Sequence, residues 1–187
     1  DGNFDDCQKI VKELFVDDEI QQSTSLTAVN SINWARLIAQ VVYYFWAYLQ
    51  TDKQQINFIV PSGNFGNIFS AFVAKQMGLP IGHLHIATNS NDILKSIVDT
   101  GEMKKKSVFQ TYSPSMDIQV SSNFERQIFE SLNRDSKRVN EVFESFSSKG
   151  FYQFDDSVLA KFQQIYKASS IDDNQTLETI KYVSVSY

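Results

Sequence analysis

Hydrophobic positions along the first fifty residues recur mainly at helical spacing. Apolar residues from Phe4 to Phe15 repeat every three or four positions with charges between them, which predicts an amphipathic helix. A second helix is predicted from Ile32 to about Leu49, with Asn30 or Ser31 as its cap and no charge after Arg36. Because a helix that is apolar on every side is normally covered on every side, we expect this one to be buried. The side chains expected inside are Trp34, Leu37, Val41, Phe45 and Tyr48.

Short apolar runs then alternate with helical patterns. Ile56 to Val60 is the continuous run typical of a parallel strand that is covered on both faces, and Pro61 ends it. The order strand, turn, helix, strand, helix is that of a βαβ unit, so the fold class is α/β, a parallel sheet with helices on both faces. The predicted strands are residues 56–60 and 84–87, and the predicted helices are residues 68–77 and 93–98.

The rest of the chain has a different character. Residues 101–122 read as a loop, and residues 124–180 are helical by pattern, with a cap at Asp155. We therefore divide the chain into an α/β portion at residues 1–100 and a loop and mostly helical segment at residues 101–187, in the same or an adjoining domain.

Composition limits the possible partners. The formal net charge of −5 gives no field that attracts nucleic acid, so we interpret the lysine run at 104–106 as a solvated loop. The single cysteine, Cys7, allows no internal disulfide and favours a reduced, intracellular setting; it is expected to be a small core residue. The apolar stretch from Leu37 to Leu49 is shorter than the roughly 20 residues that a bilayer needs, so no membrane partner is expected. Because the chain opens on Asp1 rather than Met, we expect it to be part of a longer gene product.

The turn from Ser62 to Asn67 is the main candidate for chemistry. Gly63 and Gly66 lie between the carboxyl end of a strand and the start of a helix, where backbone N–H groups and the helix dipole favour an anion. The turn lacks both the Gly-x-Gly start of a dinucleotide fingerprint and the Lys-Ser/Thr of a P-loop. Its spacing alone is equally compatible with a tight turn that uses glycines for geometry.

Polar residues elsewhere offer weaker candidates. Asn30, Ser31 and Asn33 could present amide and hydroxyl groups to a ligand, although helix capping also explains the first two. Arg36 could bind a substrate phosphate or form an ion pair, and Asn89 is a further pocket candidate. His83 and His85 share a strand face without a third ligand nearby in sequence, so no metal site is expected.

Several segments in order resemble the pyridoxal-phosphate-dependent threonine synthases. The similarity is high over residues 1–98 and continues weakly to about residue 178. The upstream and downstream parts that fit are Asp1 to Gln8, Asn30 to Leu37, and Met116-Asp117-Ile118. The strongest segments are Val60-Pro61-Ser62-Gly63-Asn64-Phe65-Gly66-Asn67, Ala74-Lys75-Gln76-Met77-Gly78-Leu79-Pro80-Ile81 and Ile86-Ala87-Thr88-Asn89-Ser90-Asn91-Asp92-Ile93.

The resemblance implies a fold-type-II enzyme of the cytoplasm that converts O-phosphohomoserine and water to threonine and phosphate. It implies that Gly63, Asn64, Phe65, Gly66 and Asn67 hold the phosphate of pyridoxal 5′-phosphate. The partner is then a small phosphorylated amino acid, for which the substrate-binding candidates are Ser31, Asn33 and Arg36.

Other family motifs are missing. The chain contains neither the Phe-Lys-Asp segment, whose lysine carries the cofactor, nor the Thr-Ser-Gly loop for the substrate carboxylate. The catalytic lysine is therefore expected upstream of Asp1, no catalytic residue is assigned within the chain, and the chain alone is expected to be inactive. The alternatives are a threonine-synthase-like phospho-lyase and a non-catalytic partner-binding fragment, and the oligomeric state stays open.

Overall fold

The computed structural model of the chain describes residues 4–27 and 33–186, and it places helices and a parallel sheet in one α/β arrangement. The helices are α1 (Phe4–Val16), α2 (Asp18–Ser23), α3 (Trp34–Leu49), α4 (Gly66–Gln76), α5 (Ile93–Thr100), α6 (Phe124–Ser131), α7 (Ser136–Lys149), α8 (Asp156–Ile165) and α9 (Asp173–Ser186), with a 3₁₀ turn at Pro114–Met116. The strands are β1 (Ile56–Pro61), β2 (Ile81–Thr88), β3 (Glu102–Lys104), β4 (Phe151–Gln153) and β5 (Tyr166–Ser170).

The main sheet contains β1, β2 and β5, all parallel, with β2 in the middle. Val60 lies beside Ile86, and Leu84 lies beside both Phe58 and Tyr166. Successive side chains on a strand point to opposite faces, so these apolar residues share one face, where the Tyr44 ring of α3 packs edge-on against Phe58. Because parallel strands end at the same edge, the turns after β1 and β2 meet there.

Short strands in the second half correct the sequence interpretation. Residues 101–122 and 124–180 were expected to be loop and helix, yet they contain β3, β4 and β5. β5 has the sequence Tyr-Lys-Ala-Ser-Ser, in which Tyr166 is the one large buried side chain. Its strand conformation comes from backbone pairing with β2, about eighty residues away in sequence, and no local pattern reveals such a pairing.

The start and the exposure of α3 also differ from the expectation. The described helix begins at Trp34, and Asn33 caps it with its Oδ1 2.9 Å from the Ala35 nitrogen. Asn30 and Ser31, the predicted caps, lie outside the described residues. Leu37, Val41 and Tyr44 are buried, Phe45 and Tyr48 are partly buried, but Trp34 is 42% exposed and Trp46 is 65% exposed.

The prediction that α3 is covered on every side is therefore wrong for the described residues. One face of α3 packs on α4 and on Phe58 of β1, whereas no described residue covers the face that carries Val42 and Trp46. Cys7 is likewise exposed rather than in the core, because the apolar side of α1, with Ile10 and Leu14, lies at the surface. Among the described helices, none is long and apolar enough to cross a membrane.

Candidate functional site

The turn between β1 and α4 is built around Phe65. The Ser62 nitrogen donates to the Ala87 carbonyl at 2.8 Å and extends the pairing of β1 with β2. Phe65 then adopts a left-handed conformation with a φ of 64°, and its ring is buried edge-on against Phe124 and Tyr166. Neither Gly63 nor Gly66 has a positive φ, so the turn depends on a strained phenylalanine that core packing holds in place.

Backbone N–H groups in this turn form the candidate anion site. Within residues 4–27 and 33–186, no acceptor lies in hydrogen-bonding geometry with the N–H groups of residues 63–68. Phe65 at the N-cap of α4 also makes no side-chain capping bond. These donors include the first turn of α4, where the helix dipole adds positive potential. The turn therefore offers consecutive donors to an anion at the carboxyl edge of the sheet.

The carbonyl groups of residues 63–65 in the same turn all accept hydrogen bonds. The Ser121 hydroxyl donates to the Gly63 carbonyl at 2.8 Å, and the Asn123 nitrogen donates to the Asn64 carbonyl at 3.1 Å. The Phe65 carbonyl accepts from the nitrogen of Phe69 at 2.9 Å. The turn thus has a bonded face and a donor face.

Close packing explains Gly63. A Cβ atom at this position would lie 2.9 Å from the Ser115 carbonyl oxygen and 3.1 Å from both the Met116 Cα and the Ile118 Cδ1. The glycine is thus needed for the close approach of the segment around the 3₁₀ turn.

Two side chains that sequence reasoning left without a role contact the turn. Gln8 of α1 donates to the Asn64 Oδ1 at 2.9 Å. The Tyr44 hydroxyl of α3 lies 3.1 Å from the Asn67 carbonyl oxygen and also contacts the Asn67 Oδ1. Burial raises the pKa of Tyr44 above its usual value of 10.0, so this hydroxyl stays protonated and donates. Gln8 and Tyr44 both belong to the part of the chain that resembles the family. Their contacts with the turn join residues that are distant in sequence, so a local pattern does not predict them.

Two of the three predicted substrate residues lie in the described structure, at the start of α3. Ser31 lies outside the described residues, Asn33 caps α3, and Arg36 is exposed in the first turn of that helix. Tyr44, two helical turns after Arg36, links α3 to the turn. A substrate role for Asn33 and Arg36 stays a prediction.

Asn89 belongs to a buried polar cluster after β2. Its amide nitrogen lies 2.7 Å from the Asp117 Oδ1 and 2.8 Å from the Thr111 Oγ1, and Asn91 bonds to both Asn89 and Asp117. Asn89 is 3% exposed, and its amide is used in these contacts rather than turned toward an open pocket. The cluster fastens the segment that packs against Gly63.

Lys106 of the lysine run and His85 of β2 each contact a polar side chain. Lys106 pairs with Asp92 at 2.7 Å, and the His85 Nε2 lies 2.8 Å from the Ser169 Oγ. No group of three His, Cys, Asp or Glu side chains that could hold a metal ion occurs in the part of the chain that the structure describes.

Comparison with known proteins gives one consistent relationship. Threonine synthase of Pseudomonas aeruginosa is 44% identical over 185 residues, which are 98% of this chain and 39% of that protein. A structure of pyridoxal-phosphate-bound threonine synthase from Brucella melitensis matches with a TM-score of 0.84 and 45% identity, over 94% of this chain and 38% of that one. The chain belongs to the threonine synthase family.

Further matches agree with this membership in the threonine synthase family. The yeast threonine synthase structure gives a TM-score of 0.86 at 41% identity, over 97% of this chain and 38% of that chain. Human threonine synthase-like 1 is 35% identical over 96% of this chain and 26% of that protein. No family model matches the chain. The chain thus spans about two fifths of the length of the threonine synthases that it matches.

Proposed function

We propose that this chain supplies the phosphate-binding portion of a threonine synthase that uses pyridoxal 5′-phosphate. The observation that carries the proposal is the set of N–H groups at residues 63–68, which have no acceptor among the described residues and lie at the start of α4 and the carboxyl edge of the sheet. These donors suit a phosphate, because its oxygens accept several hydrogen bonds and its charge gains from the helix dipole. The name of the Brucella structure, a pyridoxal-phosphate-bound threonine synthase, supports the choice of cofactor.

Residues Gly63, Asn64, Phe65, Gly66 and Asn67 would hold the cofactor phosphate through their backbone nitrogens. Phe65 fixes the direction of these groups because its ring is locked between Phe124 and Tyr166. The Tyr44 hydroxyl holds the Asn67 carbonyl and side chain, so the last residue of the turn does not need a reorganisation to accept an anion. When bound, the cofactor supplies an electron sink for chemistry at an amino acid.

The proposed reaction is the conversion of O-phosphohomoserine and water to threonine and phosphate, in a fold-type-II enzyme of the cytoplasm. No catalytic group for this reaction is assigned within the chain, and the lysine that carries the cofactor is expected upstream of Asp1. A threonine-synthase-like phospho-lyase is the second candidate, since human threonine synthase-like 1 also matches nearly all of this chain.

An assay of the native gene product separates these two candidates. With O-phosphohomoserine, a threonine synthase releases phosphate and forms threonine in equal amounts. A phospho-lyase releases phosphate without forming threonine, and that product pattern would overturn the proposed reaction.

The 187-residue chain by itself is not expected to bind the cofactor covalently at one defined lysine. None of its lysines stands in a Phe-Lys-Asp segment, and Lys75 of α4 donates to the carbonyls of Ile81 and Gly82, beyond the end of α4 opposite the turn. We expect incubation with pyridoxal 5′-phosphate, borohydride reduction and peptide mapping to give only scattered substoichiometric labels. Stoichiometric labelling of a single lysine would contradict the assignment of the catalytic lysine to another part of the enzyme.

A further inference from the structure

The direction of the N–H groups in the turn follows from what holds its carbonyl groups. In a planar trans peptide, the carbonyl of one residue and the N–H of the next point in opposite directions. The described peptide bonds are all trans. Fixing the carbonyls of Gly63, Asn64 and Phe65 therefore directs the N–H groups of Asn64, Phe65 and Gly66 to the other side.

Three donors fix these carbonyls, and only one of them is a side chain. The Asn64 and Phe65 carbonyls are held by the backbone nitrogens of Asn123 and Phe69, whereas the Gly63 carbonyl is held by the Ser121 hydroxyl at 2.8 Å. Ser121 is 58 residues from Gly63 in sequence and half-buried. Its hydroxyl is thus the group through which a substitution can release the first carbonyl without changing the backbone.

We propose that Ser121 is a positioning residue for the cofactor phosphate. Its hydroxyl holds the Gly63 carbonyl on the bonded face and so keeps the Asn64 N–H on the donor face. In its absence, the Gly63–Asn64 peptide plane can rotate, and the anion loses one preorganised donor. This inference rests on the proposed function, because it assumes that the donor face takes a phosphate.

The test compares Ser121→Ala, Ser121→Thr and Ser145→Ala in the 187-residue chain. The Ser145 hydroxyl also donates to a carbonyl, that of Phe151 at 3.1 Å, but that bond joins α7 to β4 away from the turn. The ligands are inorganic phosphate and pyridoxine 5′-phosphate, which lacks the aldehyde and therefore binds without modifying lysines. Affinities are measured from amide chemical shifts of the ¹⁵N-labelled chain.

We expect Ser121→Ala to weaken the binding of both ligands by the same factor, about two- to tenfold, because the phosphate group that they share loses one preorganised hydrogen-bond donor. Ser121→Thr should restore affinity, and Ser145→Ala should leave it unchanged. Ser121→Cys, with a weaker donor of similar shape, should give an intermediate loss and serves if the alanine variant does not fold.

Two results would overturn the inference while leaving the proposed function intact. One is wild-type affinity in folded Ser121→Ala. The other is a loss for pyridoxine 5′-phosphate without a matching loss for inorganic phosphate, which would indicate a change in the ring site. Failure of the wild-type chain to bind either ligand would contradict the proposed function itself.

Discussion

Gly63→Ala is expected to lose about tenfold or more in affinity for pyridoxine 5′-phosphate, equivalent to about 1.4 kcal/mol. The added Cβ would lie 2.9 Å from the Ser115 carbonyl oxygen, and because that atom is backbone, the turn or the segment at 113–118 must shift. The segment is anchored by Asp117, which bonds to Asn89 and Thr111, so the turn has to move, and its N–H groups move with it. Titration of the ¹⁵N-labelled variant measures the loss.

Gly78→Ala is the matched control for this variant. Gly78 follows α4 at its far end with a φ of +101°, and a Cβ there would meet nothing within 4 Å. Alanine at this φ lowers the free energy of unfolding by about 1 kcal/mol or more, without touching the turn. Affinity should therefore fall in Gly63→Ala and stay unchanged in Gly78→Ala. Equal losses would show that the effect of Gly63→Ala comes from general destabilisation.

Val41→Asp is expected to lower the free energy of unfolding by about 3 to 5 kcal/mol. Val41 is 7% exposed and lies on the face of α3 that packs on α4. Its side chain belongs to the hydrophobic core. A carboxylate placed there loses its hydration among apolar side chains. Urea unfolding followed by circular dichroism gives the difference from the wild type, or shows that the variant no longer folds.

The next residue provides the control. Val42 lies about 100° further round α3 and is 62% exposed, so Val42→Asp keeps its carboxylate in water and should cost about 1 kcal/mol or less. The two variants share composition, charge and helix propensity, and differ only in the face that they change. Similar losses in both would contradict the described orientation of α3.

The order of elements from residue 34 to residue 100 could be predicted because each one is encoded locally. The strand ended by Pro61, the turn with Gly63 and Gly66, and the helix before Gly78 each have their own sequence signal, and the structure confirms them as β1, the turn and α4. β5 could not be predicted this way, because it is a strand through its pairing with β2 and has few apolar residues of its own.

The candidate site could likewise be predicted only in part. The sequence located the turn, since glycines between a strand and a helix are a local feature. It did not show that Phe65 would take the left-handed conformation, or that Ser121 and Tyr44 would hold the turn from the second half of the chain and from α3. Those contacts depend on how the elements pack, and a pattern along the chain does not report packing between distant segments.

The most direct measurement of the central claim is a titration of the ¹⁵N-labelled chain with pyridoxine 5′-phosphate, with pyridoxine as the control that lacks the phosphate. We expect weak, saturable shifts concentrated at the amides of residues 63–68, the N–H groups that have no acceptor among the described residues. Pyridoxine should leave these amides unchanged. Absence of shifts at residues 63–68, or equal shifts with pyridoxine, would contradict the assignment of this turn as the phosphate site.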